Sequence, residues 1–547
     1  MNPSQGLTGL KNAGIHCGAL ILGAVLFAGA FPNAVFPKGL PVLGWIAYAP
    51  VFWVARQASL GACFLWGAFY GYTAYSLFNF WLSAFHPVAG LVVGVVYSAY
   101  FAVLFPLLKL AVSLFPRKGY ILQWLFWMSF EYLRTLGFLG YSYGIIGYSQ
   151  WEVIPIIQIA DTFGVWGVSA LIVFPSAWLA GAFSRKNGLG TEKPFFRREW
   201  LAGFVWIGAF SAALGYGFAG QVDYAEAPVR RIALIQHNTD PWLGGMLEYR
   251  NNFEVLKRLS DEALRQDPKP DMVVWSETAF VPRIYWHIHY RGDPDSYILV
   301  KDLMDYLADQ DVPFVIGNDD ARKEPEKNAN PAEEFRVDYN AVMLFDRGKL
   351  IDQYRKVHLV PFTEQFPYKK ELPKVYAELK KRNDIHLWEK GADFTVFSAG
   401  GARFSTPICF EDTFGNISRE FVRNGAELLV NVTNDAWSQS LPAQMQHLSM
   451  AVFRAVENRR AMVRATASGQ TCGIDPNGRI IAMADAFTET QLTVAVPILR
   501  VKARYTEYGD FFPVLCAICA GILLIFGIIS GILNLRNRRK RKNARIG

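Results

Sequence analysis

Cysteine is scarce in this chain, six residues in 547, which excludes a fold stapled by disulfides. Cys17, Cys63, Cys516 and Cys519 fall inside long apolar runs, so only Cys409 and Cys472 stand in hydrophilic sequence. A bridge between those two is conceivable in an oxidising compartment, but it would consume the one thiol whose setting suits chemistry. Histidine is scarce as well. His287, His289 and His358 follow no metal-binding spacing, so neither a metal nor a cofactor is expected. No segment repeats another, which removes solenoids and arrays. Acidic residues are absent after position 534, where Arg536, Arg538, Arg539, Lys540, Arg541, Lys542 and Arg545 stand. That tail carries most of the net charge of +8 and the rest of the chain is close to neutral, which argues against a nucleic-acid partner. A basic tail beside an apolar run reads more simply as a topology anchor and a partner for anionic lipid heads.

What is abundant is apolar surface. Hydrophobic residues make up 52% and aromatics 15% of the chain, more than a soluble enzyme carries. A membrane span takes about 20 mostly apolar residues to cross roughly 30 Å of hydrocarbon. Eight stretches qualify: about 14–31, 39–55, 59–83, 88–115, 120–138, 163–183, 200–219 and 511–534. The first resembles a signal peptide, with Lys11 ahead of an apolar core, but six more runs follow closely and it reads as a retained helix. Lys and Arg near span ends favour the cytoplasmic side. With the N-terminus inside, the inner loops hold Arg56, then Arg117 and Lys118, then Arg185, Lys186, Lys193, Arg197 and Arg198. The outer connections 84–87 and 139–162 hold no Lys or Arg, and 32–38 holds only Lys38. The expectation is N-in and C-in: a membrane α-helical bundle over 1–220, an outer domain over 221–505, a last span over 506–535 and a cytoplasmic tail over 536–547. Within the spans, Glu131 and Arg134 lie one turn apart and read as a structural ion pair, while Lys109 is placed to snorkel.

The outer domain alternates strands and helices. Strands are expected at 231–236, 272–275, 313–317, 340–345, 350–354, 403–408, 427–432, 461–466 and 492–497, and helices at 249–266 and 442–459. Asp346-Arg347-Gly348-Lys349 and Asp475-Pro476-Asn477-Gly478 read as hairpin turns, and 323–335 reads as a loose linker. This order suggests sheet layers covered by helices.

Three strand ends carry reactive groups. Met272 to Trp275 delivers Ser276-Glu277, a carboxylate at the edge of an apolar strand, where partial burial raises a carboxyl pKa toward that of a useful base. Residues 350–354 deliver Arg355-Lys356. Residues 403–408 deliver Cys409-Phe410-Glu411, with a helix able to start just beyond, and a helix N-terminus lowers a thiol pKa. Each has a bland alternative: a cap, a solvated lysine, a small buried hydrophobe. Together a thiol, a carboxylate and an ammonium suffice for acyl transfer, with the base taking the thiol proton, the thiolate attacking a carbonyl and the cation stabilising the oxyanion.

Trp275-Ser276-Glu277-Thr278, Tyr354-Arg355-Lys356 with Leu359-Val360-Pro361-Phe362-Thr363-Glu364, and Cys409-Phe410-Glu411 resemble, in that order, the Glu-Lys-Cys signature of the nitrilase superfamily. Seven apolar runs before such a domain and one after it resemble one member family, the apolipoprotein N-acyltransferases. The likeness extends to Gly147-Tyr148-Ser149-Gln150, to Asn431 through Trp437 and to Thr506 through Asp510. It implies a nitrilase-like αββα sandwich in the α/β class, with Cys409 as nucleophile, Glu277 as general base and Lys356 as stabiliser of the tetrahedral intermediate. It implies supporting roles for Glu364 and Glu411, and substrate-binding roles for Trp242, Asn340, Phe410 and Trp437. The chain departs from the family in having Phe410 where Tyr is common and Thr363 where Gly is common.

The resemblance also implies a two-step reaction at the outer, periplasmic face of the bacterial inner membrane. An acyl chain passes from a phospholipid, expected to be phosphatidylethanolamine, to the thiol, and then to the α-amine of an S-diacylglyceryl cysteine on an apolipoprotein. Two other readings use the same residues: a membrane-tethered amidase or lipid hydrolase, in which water replaces the amine, and a non-catalytic scaffold that binds lipoproteins.

Overall fold

The computed structural model describes residues 3–85, 87–182, 195–240, 243–325, 334–369, 371–379 and 387–543. The chain divides into two compact units, one of Met1–Leu136, Gly140–Gly220 and Asp510–Gly547, the other of Gly137–Leu139 and Gln221–Gly509.

The first unit is helical. Among the described residues, five helices are long and apolar enough to cross a membrane: Lys11–Ala30, Ala89–Leu114, Ala160–Ala182, Trp200–Ala219 and Phe511–Asn537. The other three expected spans do not meet that measure of length and apolarity. The run at 39–55 breaks into Pro41–Gly44 and Ala49–Gln57, each with proline in its first turn, where a missing N–H costs nothing. The run at 120–138 is helical only over Gly119–Leu133, 15 residues, short of the span length. Leu60–Phe78 has 19 residues, but Tyr70, Tyr72 and Tyr75 dilute its apolarity. That helix packs tightly on Ala89–Leu114 through Gly67 and Gly71, where a Cβ would stand 2.1 Å from the Phe101 carbonyl oxygen and 2.3 Å from that of Tyr97. Small residues four apart are how apolar helices approach when water drives nothing.

Glu131 and Arg134 are buried, yet they do not form the expected ion pair. Arg134 Nη1 donates to Tyr97 Oη at 2.7 Å and to the carbonyls of Tyr141 and Tyr143 at 2.8 and 2.9 Å, and Glu131 accepts from the Ile146 N–H. Both satisfy irregular backbone that has no water to turn to. Lys109 likewise turns inward, its Nζ 2.7 Å from the Arg56 carbonyl oxygen.

The second unit is a sandwich of two six-stranded sheets. In chain order the strands are β1 (Val229–Gln236), β2 (Met272–Trp275), β3 (Phe314–Pro325), β4 (Glu334–Asp346), β5 (Lys349–Arg355), β6 (Phe397–Ala399), β7 (Ala402–Ser405), β8 (Leu428–Thr433), β9 (Ala461–Thr466), β10 (Cys472–Ile474), β11 (Ile480–Met483) and β12 (Thr490–Pro497). One sheet runs β12-β1-β2-β3-β4-β5 and the other β11-β10-β9-β8-β7-β6. Parallel pairing joins β1, β2 and β3, and again β7, β8 and β9. Strands buried on both faces read as unbroken apolar runs, and β2, Met-Val-Val-Trp, is fully buried. β1 and β2 face β9 across the sandwich. Helices Gly245–Leu264 and Pro294–Ala308 cover the first sheet through Phe253, Leu256, Leu299 and Leu303. Helices Gly415–Arg423 and Leu441–Asn458 cover the second. The layers are therefore αββα, as expected.

Two features differ from the sequence reading. β3 and β4 extend far beyond 313–317 and 340–345 as one hairpin, paired from Phe314↔Phe345 out to Pro325↔Glu334, so both ends of the expected linker are strand; 326–333 lie outside the described residues. Helices Ile284–Tyr290 and Pro294–Ala308 lie where nothing regular was expected. Asp293 caps the second, accepting from the Ser296 N–H, and Pro294 opens it.

Candidate active site

The reactive residues follow directly from strand ends. Ser276-Glu277 leaves β2, Lys356 leaves β5, Cys409 follows β7, and Asn434-Asp435 leaves β8. The turn carrying Glu277 rests on β3 at Gly317, where a Cβ would stand 2.3 Å from the Ser276 carbonyl oxygen. Cys409 itself has φ +47°, a left-handed backbone that an L-residue holds only under surrounding constraint. It begins a 3₁₀ turn, Cys409–Thr413, and the α-helix starts only at Gly415.

Lys356 is fully buried. Its Nζ lies 2.8 Å from Glu364 Oε1 and 3.4 Å from Glu277 Oε1. Burial works against its charge, but Glu364 and Glu277 outweigh burial and hold its pKa above the usual lysine value. The Glu277 carboxylate is fixed from two further sides. Asn340 Nδ2 donates to Oε1 at 2.8 Å, and the Asn434 N–H donates to Oε2 at 2.8 Å. Glu364 is largely withdrawn from solvent, which raises its pKa against the pull of Lys356, and its Oε2 accepts from the Val360 N–H.

Glu411 braces the loops from beneath. Its Oε1 accepts from the N–H groups of Val357 and His358 at 2.8 and 3.0 Å, its Oε2 from that of Ile408 at 2.8 Å, and the Tyr354 hydroxyl donates to both oxygens. Glu411 therefore ties the Cys409 strand end to the Lys356 strand end. Burial pushes its pKa up to about 7 against these donors, though four donors are what an acceptor-only carboxylate suits.

Cys409 is part-exposed and unbridged, and Cys472 is buried and free. Burial of the sulfur, then the charge of Glu277, push the thiol pKa well above its ordinary value, against Lys356, which pulls it down. This corrects the expectation of a lowered thiol pKa: the helix begins too late to help, and burial, with a neighbouring carboxylate second, outweighs Lys356.

Of the residues expected to bind substrate, Asn340 has its amide on Glu277. Phe410 stacks on His358, centroids 5.8 Å apart, and meets Phe414 edge-on. Trp437 sits in the short turn Ala436–Ser438, just past the amide that holds Glu277, and Trp242 lies outside the described residues. Sequence reasoning missed Tyr354 and the Asn434 amide. Tyr354 was recoverable, because residues two apart on a strand share a face, and it precedes Lys356 by two. Among the described residues no group of three or more His, Cys, Asp or Glu is placed to hold a metal.

Two family models match this chain: one described as carbon-nitrogen hydrolase over residues 231–505, and one described as apolipoprotein N-acyltransferase N-terminal domain over residues 23–178. The chain is similar to apolipoprotein N-acyltransferase 1 of Treponema denticola, 46% identical over 93% of this chain and 96% of the relative. It is 45% identical to apolipoprotein N-acyltransferase 1 of Treponema pallidum, over 94% and 96%. It is 31% identical to apolipoprotein N-acyltransferase of Geobacter metallireducens, over 92% and 93%.

Proposed function

Because this chain belongs to the apolipoprotein N-acyltransferase family, we propose that Cys409, Glu277 and Lys356 carry a two-step acyl exchange in which the protein is a membrane-bound transferase between a lipid donor and a lipoprotein. In the first step Glu277 takes the Cys409 proton as sulfur attacks the ester carbonyl of a phospholipid. Lys356 stabilises the oxyanion, and the lysophospholipid alcohol leaves with a proton, giving a thioester. In the second, the α-amine of an S-diacylglyceryl cysteine attacks the thioester, the thiol leaves, and an amide results. The raised thiol pKa requires the base to act during the attack, since no thiolate waits beforehand.

The observation that carries this reading is the fully buried Lys356 between Glu277 and Glu364, a cation fixed beside a thiol and its base. Glu364 and Glu411 position the loops, and Trp242, Phe410 and Trp437 contact substrate. The donor is phosphatidylethanolamine. We read the helical unit as eight crossings, with the broken 41–57 and the short Gly119–Leu133 among them. An even count puts both basic clusters, 185–198 and 536–545, on the cytoplasmic side and the sandwich on the periplasmic side.

The test is the intact mass of the purified full-length protein after exposure to phosphatidylethanolamine vesicles, then to a diacylglyceryl peptide. A single acyl adduct lost in Cys409→Ala, and discharged as N-acyl peptide, supports the reading. Free fatty acid as the sole product would make the protein a hydrolase, and no adduct at all would leave a scaffold.

A further inference from the structure

One buried cluster takes no part in the exchange just described. Asp412 lies three residues past the nucleophile in the same 3₁₀ turn. Asp435 directly follows Asn434, whose N–H fixes Glu277. His447, from helix Leu441–Asn458, joins them: its Nε2 is 2.7 Å from Asp412 Oδ1 and its Nδ1 is 3.1 Å from Asp435 Oδ1. Arg464 on β9 pairs with the other oxygen of Asp412, and its Nη2 is 3.7 Å from Asp435 Oδ2. All four side chains are buried.

An ionised carboxylate oxygen only accepts hydrogen bonds, and a neutral imidazole donates from one nitrogen only. Both contacts of His447 are satisfied together only when both ring nitrogens carry a proton. Two carboxylates and two cations then balance in the interior, as buried charges must. A neutral ring would turn a lone pair toward one of the aspartates.

We propose that His447 is a positioning residue for the acyl transfer, an imidazolium that locks the nucleophile's turn to the turn whose amide orients the base. The inference rests on Cys409 and Glu277 being the reacting pair. The charged groups facing the ring are Asp412 from the nucleophile turn, Asp435 from the turn after β8 and Arg464 from β9, with Cys409 and Cys472 beside that arginine. Burial lowers the imidazole pKa, but the two aspartates outweigh it and raise it to about 9. Deprotonation on the alkaline side therefore loosens the geometry on which proton transfer from Cys409 depends, and also leaves Asp435 less compensated beside the thiol.

The experiment has two arms on the full-length protein in detergent micelles. Selective ¹⁵N-histidine NMR of the unsubstituted protein reads the ring directly. Both nitrogens of His447 protonated at pH 7, titrating together near pH 9, is the expected result, and a neutral tautomer at pH 7 overturns the proposal without any variant having to fold. In the second arm, acylation of Cys409 by phosphatidylethanolamine is followed against pH for the unsubstituted protein and for His447→Gln, which can donate to only one aspartate. A fall in kcat of about tenfold or more with KM within about twofold, and loss of the alkaline limb, supports positioning; kcat and pH profile both unchanged in a folded variant overturn it. Cys409→Ser separates the two claims. If that variant still transfers acyl chains through an adduct elsewhere, the active-site assignment fails, while the NMR arm still reports on the ring.

Discussion

Glu411 shows how much a single carboxylate holds. Three backbone N–H groups and the Tyr354 hydroxyl converge on it. Glutamine offers one acceptor oxygen and turns an NH₂ toward the remaining donors. Each buried donor left unmet costs about 1–3 kcal/mol, so Glu411→Gln should lose roughly 2–4 kcal/mol of stability, whereas Tyr354→Phe, which removes donor and need together, should lose about 1 kcal/mol. Thermal unfolding of both variants checks this, and equal losses would refute it. At this scale the sequence was informative about which side chains the fold brings together and silent about what fixes them. Glu277, Lys356 and Cys409 stand at the ends of recognisable strands, and Glu364 and Glu411 follow at short fixed offsets. The amide of Asn434 is backbone, with nothing in its side chain to announce it. The helix-dipole argument for Cys409 failed because the five-residue 3₁₀ turn Cys409–Thr413 moves the helix start to Gly415, away from the sulfur.

Elements bring those residues together, and one close fit is where β3 passes under the Glu277 turn. Glycine stands at position 317 because a Cβ there would press to 2.3 Å on the Ser276 carbonyl oxygen and 2.7 Å on Glu277 Cα. Gly317→Ala must push Glu277, the proposed base, out of register with Lys356 and Asn340. Overpacking of this kind costs about 1–3 kcal/mol, but the shift falls on the reacting geometry, where an ångström costs about a hundredfold in rate. Acylation should therefore drop far more than the melting temperature; a variant that loses stability but keeps its rate would show that the turn relaxes elsewhere. The strand cores were legible because β1, β2 and β8 are short apolar runs buried on both faces. The outer half of the β3–β4 hairpin was not, since Arg322, Lys323 and Arg336 carry no apolar pattern and pairing continues there only because the register is set further in. Helix Pro294–Ala308 had its Asp-Pro start in plain view, with Leu299, Leu303 and Leu307 on one buried stripe.

For the whole molecule, buried histidines set opposite limits on pH. His237 is fully buried, bonded to Thr239 and Ser276, and burial lowers its pKa to about 4. Burial, with Lys390 and Lys356, does the same to His358. A depressed histidine stays neutral in the folded state while the unfolded chain takes up a proton, so stability is intact above about pH 6.5 and falls as pH drops toward 4. For His237 alone that amounts to about 3 kcal/mol at the acid end. His447 is raised to about 9, so its contribution is complete below about pH 6.5 and is lost as pH rises through 9. The melting temperature should peak near pH 6.5 and decline on both sides, with the acid decline shallower in His237→Asn; a monotonic profile would contradict the assignment. The proposed orientation rests on a separate argument, the distribution of charge. The sandwich is inserted between helices Trp200–Ala219 and Phe511–Asn543, and the basic residues flank those helices at their far ends, 185–198 and 536–545. Positive flanks favour the cytoplasm, and the proposed periplasmic placement of the sandwich rests on that preference. In spheroplasts, a membrane-impermeant amine reagent should label lysines of 221–509 while an epitope fused after Gly547 stays protected from added protease until the membrane is opened. The reverse pattern would place the thiol chemistry on the wrong face for exported lipoproteins and would overturn both the proposed orientation and the donor and acceptor proposed for it.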